Sequence, residues 1–580
     1  MDIFNALNLV GGLCLFLFGM NVMGQALERR AGSRLRTLLG KMTGKTFAGF
    51  LTGLCITAVI QSSSATTVMV VGFVNSGLMT LRQSISVIMG ANIGTTVTAW
   101  LLSLSGIDSS SVWISLLKPS SFTPVLALIG IIMQMFSKDS RKNDTGTILL
   151  GFATLMFGME TMSSAVSGLK DIPAFRQMFI MFTDPLLGVL AGAVLTGIIQ
   201  SSSASVGILQ ALAISGQVSY AAAIPIIMGQ NIGTCVTALL SSVGTCKNAR
   251  RAALVHLMFN VIGTTVLLAV FCIVKSALSP ALLDQPATLY GIAIAHSAFN
   301  VLCTALLLPA GGLLEKLVVR LVPDGNGADK TSDLDERLLS TPPLALEQSH
   351  LLTVDMAYYA VSAMKSALSA LEKYSPELAD AVREDENKTD HYEDEIGTYL
   401  LKLSTHQVSD ADSEEITELL KLIGDYERIG DHAVNIIESA EELNEKQLEL
   451  TPEAKRELGV ISNAVSEVLD LALGAFVNND PATAKQVEPL EQVIDGLKES
   501  LRTSHILRMK SGACSVEAGF VWSDLLTNLE RVSDHCSNIA CCVLDMPKHS
   551  LSMHETLRAS RDADGEFERS YLAYAEKYSV

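Results

Sequence analysis

The chain has 580 residues, of which 49% are hydrophobic, and this length predicts more than one domain. Residues 1–320 contain 19 Lys and Arg against 10 Asp and Glu, whereas residues 321–580 contain 23 against 50. The ten cysteines lack paired spacings, which excludes a disulfide framework and a paired zinc motif and is typical of free thiols in a reducing compartment. We expect no nucleic acid among the partners of this chain.

Apolar runs fill the first part of the chain, and most approach the roughly 20 residues that span a bilayer. They cover about 3–26, 84–103, 113–135, 146–166, 220–243, 252–278 and 288–314. The first run has no basic region before it and no small-residue cleavage site, so we predict a retained helix rather than a signal peptide. Residues 1–320 are therefore predicted to form a multi-pass domain in the lipid bilayer of the plasma membrane.

A polar motif interrupts these runs twice, at an offset of 139 residues. Gln61-Ser62-Ser63-Ser64-Ala65-Thr66 returns as Gln200-Ser201-Ser202-Ser203-Ala204-Ser205, and Gly90-Ala91-Asn92-Ile93-Gly94-Thr95 returns as Gly229-Gln230-Asn231-Ile232-Gly233-Thr234. The domain therefore contains two copies of one unit, over about 4–110 and 146–250.

The distribution of basic residues predicts that the two copies are inverted. Segment 28–45 is strongly basic and should be cytoplasmic, whereas its counterpart 167–184 is balanced. The next pair shows the opposite bias, because 103–112 carries one acid and 242–251 carries three basic residues. The stretches 46–102 and 185–243 must then each make an odd number of net crossings, which one full helix plus one re-entrant pair broken at Gln-Ser-Ser-Ser would supply. The alternative is ordinary short helices joined by polar turns.

The polar motifs lie in stretches without charge. Residues 47–81, 83–107 and 185–246 contain no Lys, Arg, Asp or Glu. An anion bound there would be held by hydroxyls, backbone N–H groups and the positive ends of half-helices, with sodium ions as its counter-charge. The candidate ligands are Gln61, Ser62, Ser63, Ser64, Thr66, Asn92 and Thr95, together with Gln200, Ser201, Ser202, Ser203, Ser205, Asn231 and Thr234. Thr98 and Thr237 extend this polar lining, although small polar residues at such spacings also make ordinary helix contacts.

Other polar residues in the apolar runs allow two interpretations. His256 and Asn260, like His296 and Asn300, share a helix face at i and i+4, which favours hydrogen bonds that lock helices together over substrate binding. Glu160 is an acidic residue inside an apolar run and is either functional or placed at the membrane boundary.

The paired Gln-Ser-Ser-Ser and Gly-x-Asn-Ile-Gly-Thr elements resemble the sodium-dependent phosphate cotransporter family over about residues 1–320. This resemblance implies that the two motifs meet from opposite sides and that residues 61–64 and 200–203 line a phosphate and sodium site. The copies differ in one respect. Thr67 is matched by Val206, so an ion ligand at that position of the first copy has no equivalent in the second.

Beyond a Pro- and Gly-containing linker at 321–345, the pattern changes to long amphipathic helices over 346–545, followed by a tail at 546–580. Two three-helix halves are related by an offset of about 103 residues. They carry acidic pairs at i and i+4, namely Glu386 and Asp390, Glu427 and Asp431, Glu491 and Asp495, and Glu530 and Asp534. Such pairs could clamp metal ions through oxygens, or they could be solvated faces.

This half resembles the PhoU family over about residues 345–545. In the PhoU family, two three-helix repeats carry Glu/Asp-x-x-x-Asp metal-binding motifs and regulate phosphate uptake. The resemblance implies metal ligands at Glu427, Asp431, Glu530 and Asp534, with Glu386, Asp390, Glu491 and Asp495 as further candidates. A divalent or iron-type metal and phosphate-signalling proteins are the cofactor and partners it suggests.

Together these features predict an all-α protein with a polytopic membrane domain of two inverted repeats and a soluble PhoU-like bundle. The predicted function is sodium-coupled transport of inorganic phosphate by alternating access, with a cytoplasmic, metal-binding regulatory bundle. The sequence leaves the direction of transport open, so either uptake or export is possible. It also leaves the oligomeric state open, and a homo-oligomer is one possibility. The alternative is a membrane-anchored phosphate or metal sensor that acts through the bundle. We expect no enzyme, because no Ser-centred elbow motif occurs.

Overall fold

The structure is a computed structural model that describes residues 3–40, 46–106, 119–137, 139–167, 177, 180–278, 280–323, 334–406, 408–545 and 565–579. Within these ranges the regular secondary structure is helical, and the only β-pairing is an isolated bridge between Ser219 and Pro286. The predicted all-α class is therefore confirmed. The chain forms two compact units, Met1–Pro343 and Leu344–Val580.

The first unit is built from long apolar helices and four shorter ones that meet in pairs. Its helices are Ile3–Gly40, Thr46–Ile60, Ser63–Asn75, Leu81–Gly94, Thr96–Ser103, Pro119–Phe136, Ser140–Ser167, Pro185–Ile199, Ser202–Ala213, Tyr220–Ser241, Lys247–Leu278, Leu289–Leu307 and Gly311–Leu321. In the described part of this unit, six segments have the length and hydropathy of membrane spans. The run predicted at 113–135 contributes the shorter helix Pro119–Phe136, and residues 107–118 lie outside the described part.

Thr46–Ile60 and Ser63–Asn75 form the first hairpin, and Pro185–Ile199 and Ser202–Ala213 form the second. None of these helices is long enough to cross a bilayer by itself. Each hairpin is followed by a helix that runs parallel to its first arm, as the glycine contacts establish. In the first copy Phe50 meets Gly90 and Leu54 meets Gly94, so position rises along both helices. The second arm therefore returns the chain to the side on which the hairpin began.

The same close contacts recur in the second copy. A Cβ atom at Gly53 would lie 2.0 Å from the Val87 carbonyl oxygen, and one at Gly192 would lie 2.1 Å from that of Ile226. The second pair of residues lies 139 positions after the first, which is the repeat offset. Because a side chain there would collide with backbone, only glycine lets the two helices approach this closely.

Ile3–Gly40 and Ser140–Ser167, the leading helices of the two copies, pack against each other in antiparallel fashion. Gly12 contacts Gly158, and Gly19 contacts Gly151. Since Gly12 corresponds to Gly151 and Gly19 to Gly158, the contact is self-complementary, like an interface with a two-fold axis. Antiparallel leading helices are what inverted copies require, and the inversion of the whole copies stays a prediction.

The second unit contains the predicted bundle. Its helices are Pro342–Glu372, Pro376–Ser404, Asp410–Glu445, Pro452–Asn478, Pro481–Ala484, Val487–Lys510, Val516–Asp545 and Glu566–Lys577. Tyr426, Phe476 and Trp522 are among its most completely buried side chains. Pro452–Asn478 also has the hydropathy of a membrane span, but it buries Ile461, Val465 and other apolar residues within this unit.

The segment predicted as a linker, 321–345, differs from that description at its end. Leu334, Leu338 and Leu339 are buried in the first unit, and the next helix already begins at Pro342. The Leu338 side chain covers Gly72 of the first hairpin. Apolar side chains therefore fix the residues just before the C-terminal unit to the membrane domain.

Candidate functional site

The two Gln-Ser-Ser-Ser motifs form the turns of the two hairpins. Gln61 and Gln200 adopt the left-handed backbone conformation, with φ angles of 62° and 58°. Ser62 and Ser201 then cap the second arms, because each Oγ accepts a hydrogen bond from the backbone N–H three residues on, at 3.2 Å. A left-handed non-glycine residue costs about 1 to 3 kcal/mol and persists only where its surroundings hold it.

Both turns line one cavity of about 290 Å³. Residues 61–65 and 200–203 form its polar wall, and Asn21, Gln25 and Glu28 of the leading helix face them. The Ser64 hydroxyl donates to the Gln200 carbonyl oxygen at 3.4 Å, which links the two motifs directly. Segments 136 residues apart thus share one pocket that sequence spacing alone did not locate.

Thr98 connects the two turns inside the domain. Its hydroxyl donates to Gln61 Oε1 at 2.8 Å and accepts a hydrogen bond from Ser203 Oγ at 3.3 Å. Beneath each turn a second hydroxyl pair repeats, Thr57 with Thr66 at 3.0 Å and Thr196 with Ser205 at 2.8 Å. Thr57 and Thr196 were not predicted, although both lie four residues before the motif glutamine at the repeat offset.

The two glutamines have different surroundings. Gln61 is only 6% exposed and is held by Thr98, whereas Gln200 is exposed. Thr67 Oγ1 donates to the Ser63 carbonyl oxygen at 2.8 Å, and Val206 has no such group. The duplicated sequence therefore gives turns of the same shape with unequal solvent access.

The asparagines and threonines of the Gly-x-Asn-Ile-Gly-Thr elements lie apart from the cavity lining. The hydroxyls of Thr95 and Thr234 donate to carbonyl oxygens of their own helices, as does the Asn231 amide. Asn92 Oδ1 lies 3.2 Å from His256 Nε2, a contact between buried helices. These contacts correspond to the packing interpretation of the same residues. They leave residues 61–64 and 200–203 as the candidates at the cavity.

The C-terminal unit brings acidic residues together in its second repeat. Ligand atoms of Glu491, Asp495 and Asp534 lie within 4.8 Å of one another. Burial, and then the charge of Glu530, raises the pKa of Asp534 and of Asp495. Glu530 itself pairs with Lys498 at 2.8 Å. Convergent carboxylates that repel one another offer oxygen ligands to a hard cation such as Mg²⁺, Mn²⁺ or an iron ion.

The acidic residues of the first repeat are near one another but do not converge to the same degree. Burial raises the pKa of Glu386 and of Glu427, and the nearby charge of Asp431 adds to both. The helices meet at Gly430, where a Cβ atom would lie 3.8 Å from Glu386 Cγ. In the part of the chain that the structure describes, the second repeat alone forms a group of three.

The histidines that follow the acidic motifs join the two repeats. His535 Nδ1 lies 2.8 Å from Asp425 Oδ1, and His432 Nδ1 lies 2.8 Å from Asn528 Oδ1. Their rings are 5.7 Å apart. Each histidine thus contacts the helix of the other repeat, next to that repeat's acidic motif, which positions the two helices against each other.

Two family models match the chain. The Na+/Pi-cotransporter model covers residues 15–164 and 168–283, and the PhoU domain model covers residues 353–440 and 459–543. The matched ranges coincide with the first and second units of the fold.

Relatives match most of the chain or a part of either half. YjbB of Salmonella typhimurium, named as a candidate inorganic phosphate export protein, is 25% identical over 93% of this chain and 98% of its own. Human sodium-dependent phosphate transport protein 2B is 39% identical over 21% of this chain and 19% of its own. PhoU homolog 1 of Thermotoga maritima, a phosphate-specific transport system accessory protein, is 28% identical over 32% of this chain and 79% of its own.

The two duplicated motifs share a cavity in an apolar helical domain. One family model matches that domain, and a second matches the bundle. The membrane domain of this chain belongs to the Na+/Pi-cotransporter family, and it is joined to a PhoU domain.

Proposed function

We propose that this protein moves inorganic phosphate across the plasma membrane together with sodium ions, by alternating exposure of the cavity between the two hairpins. The observation that carries the proposal is the shared cavity. Residues 61–65 and 200–203, from two copies of one motif, line it at breaks in apolar helices. Sites at broken helices between repeats are the arrangement that secondary transporters use.

Sodium coupling rests on the charge of the site. The turns supply hydroxyls, amides and the N-terminal ends of Ser63–Asn75 and Ser202–Ala213, all neutral or only partly positive. Among the described residues that line the cavity, Glu28 is the ionisable one, and it is acidic. A phosphate dianion therefore needs co-bound cations, and two sodium ions would neutralise it. Hydroxyl and carbonyl oxygens are suitable ligands for such hard ions.

We further propose that the PhoU domain regulates the transporter through the segment Leu334–Ser340. Asp335 accepts a hydrogen bond from Asn75 Nδ2 at 2.9 Å, and Arg337 donates to the Val243 carbonyl oxygen at 3.1 Å. Ser340 lines the cavity. Asn75 ends the second arm of the first hairpin, so a pull on this segment acts on the helix that begins at Ser63. The segment precedes the PhoU domain directly in sequence.

Radiolabelled phosphate flux into proteoliposomes tests the transport proposal, with and without a sodium gradient. We expect sodium-dependent flux in the intact chain and background flux in Ser62→Ala plus Ser201→Ala, which loses both hairpin caps. Flux that ignores sodium would contradict the coupling. A folded intact chain that carries no phosphate in either direction would contradict the transport itself and favour a sensor.

A further inference from the structure

The cavity between the hairpins is lined by one of the two leading helices and not by the other. Asn21, Gln25 and Glu28 of the helix Ile3–Gly40 line it, whereas no described residue of Ser140–Ser167 does. The two helices are equivalent in the repeat and pack against each other through symmetric glycine contacts. The site is therefore open along the first leading helix only, although the second has the same position in its own copy.

Equivalent positions of the two leading helices also have the same exposure. Phe18 is 61% exposed, and Phe157, its counterpart 139 residues later, is 63% exposed. Ala26 and Ala165, which are another equivalent pair, are both buried. The symmetry of the glycine contacts thus extends to the side chains around each helix.

Glu160 is the counterpart of Asn21, and this symmetry gives its depth. The two-fold axis passes halfway between the two glycine contacts, level with Thr154 and Leu155. Glu160 lies beyond that level by about 8 Å along the helix, at a rise of about 1.5 Å per residue. For inverted copies the axis lies in the membrane plane, and the hydrocarbon extends about 15 Å to either side of the midplane. Of the two interpretations of Glu160, this geometry favours a functional residue over one at the membrane boundary.

A carboxylate at that depth needs a cation, a polar partner or water, because charge is costly in hydrocarbon. Glu160 is exposed on a helix with the hydropathy of a membrane span. It forms no hydrogen bond or ion pair with another described residue. Permanent contact with lipid would leave this cost unrelieved. A water-filled opening beside Ser140–Ser167 would relieve it.

We propose that Glu160 lines the phosphate site when the site opens to the opposite side of the membrane, and that its carboxylate there binds a cation that travels with phosphate. The inference rests on the proposed alternating exposure of the cavity. Because phosphate is an anion, a carboxylate beside it is favourable only with a cation between them, and hard cations prefer oxygen ligands. At this position one opening then has the neutral amide of Asn21, and the other has a charged ligand.

Cysteine labelling of the full-length chain in oriented proteoliposomes tests the position of Glu160. A membrane-impermeant maleimide is added to one side or the other. We expect Asn21→Cys to react from the side of Glu28, which the basic segment 28–45 predicts to be cytoplasmic, and Glu160→Cys to react from the opposite side. The unsubstituted chain, with its ten cysteines, gives the background.

Phe157→Cys is the matched control for this labelling. Phe157 is exposed on the same helix, and its counterpart Phe18 is not among the residues that line the cavity. A cysteine at this position should face lipid in both states, so we expect no reaction above background from either side.

The sodium dependence of phosphate flux tests the cation. Glu160→Gln should raise the sodium concentration for half-maximal flux about tenfold or more when sodium is supplied on the side from which Glu160→Cys reacts, since a charged ligand becomes neutral. Supplied on the other side, sodium should act within about twofold of its original concentration. Glu160→Asp keeps the charge and should restore most of the original dependence.

Two results would overturn the inference. The first is a Glu160→Cys variant that reacts only from the side of Asn21→Cys, or from neither side. The second is a sodium dependence that Glu160→Gln leaves unaltered. Labelling is measured without flux, so it separates this inference from the proposed function. Absence of flux in the intact chain, together with the expected labelling, would contradict transport and leave the position of Glu160 supported.

Discussion

The two hairpin turns of the membrane domain are alike in backbone and different in surroundings. Gln61 and Gln200 share a left-handed conformation, and Ser62 and Ser201 cap their helices at the same distance. Yet Gln61 is buried against Thr98, while Gln200 is exposed. The comparison shows that local sequence repeats the turn, whereas neighbouring helices decide which turn is enclosed. An asymmetric site between similar halves is what alternating access needs.

The two repeats of the PhoU domain also have similar sequences and different surroundings, in this case around acidic residues. Both repeats carry two acidic pairs, but in the described residues only Glu491, Asp495 and Asp534 converge as a group of three. Among its described lining residues, the cavity between the hairpins has no charged group other than Glu28, so under the proposed function its cations would arrive together with phosphate. The acidic site concentrates negative charge and would hold a cation by itself.

The largest effect is expected from Thr98→Val, which tests whether the two turns have different roles. The change removes the hydroxyl that donates to Gln61 Oε1 and accepts from Ser203 Oγ. Gln61 Oε1 then stays buried without this donor, which costs about 1 to 3 kcal/mol. We expect phosphate flux to fall by about tenfold or more. Thr237→Val is the matched control, because Thr237 occupies the same repeat position with a buried hydroxyl that has no hydrogen-bond partner among the described residues. Equal losses in both variants would show that the two turns are used alike.

The acidic residues of the two PhoU repeats should differ in how tightly they bind a metal ion. Thermal unfolding with and without excess Mn²⁺ should show metal stabilisation of about 2.7 kcal/mol when the free ion is at 100 times its dissociation constant. Asp534→Asn should remove most of it, since it takes one of three convergent ligands. Asp431→Asn, at the equivalent position of the first repeat, should retain most of it. The reverse order would place the tighter metal site in the first repeat.

The pH dependence of the metal-free protein follows from the same carboxyl groups. The pKa values of Asp495, Asp534, Glu386 and Glu427 are raised in the folded state, first by burial. The folded state therefore binds protons more tightly than the unfolded chain, so these groups favour folding at low pH and lose that effect as pH rises through their pKa values. We expect the contribution of these four carboxyl groups to the free energy of unfolding to fall from about pH 4 to 7, and bound metal to oppose this fall. Groups whose pKa is lowered, such as Glu441, Asp480 and His432, act in the opposite direction, so the test compares the intact chain with a variant that carries Asp495→Asn and Asp534→Asn. A pH profile of stability that is the same in both proteins would contradict the shifts.

The smallest expected effect concerns the Leu334–Ser340 segment. Asn75 donates to Asp335 and accepts from the Cys246 N–H at 2.8 Å, whereas the equivalent residue of the second copy is Ile214. Asn75→Ile therefore gives the first hairpin the residue of the second. We expect flux to change about two- to threefold and its response to metal to weaken, because a buried hydrogen bond of this kind contributes about 1 kcal/mol. Unchanged metal response in flux assays would separate the segment from regulation.

Sequence alone determined most of the architecture of this protein. The amphipathic pattern predicted a helical bundle over 346–545, and the 139-residue offset predicted the paired breaks at Gln61 and Gln200. Acid pairs four residues apart identified the metal candidates. These features follow from local chemistry, namely helix faces, caps and turn conformations, which are encoded within a few residues.

Only the tertiary structure decided which side chains of the repeated segments contact one another. Packing chose Thr98 as the link between the turns, Glu491, Asp495 and Asp534 as the convergent acids, and Leu334–Ser340 as a part of the membrane unit. It also placed Thr95 and Thr234 against their own helices rather than in the cavity. Such outcomes depend on contacts between residues far apart in sequence, whose distances no local pattern specifies. A repeated sequence therefore predicts a repeated shape, and the surroundings determine the different environment of each copy.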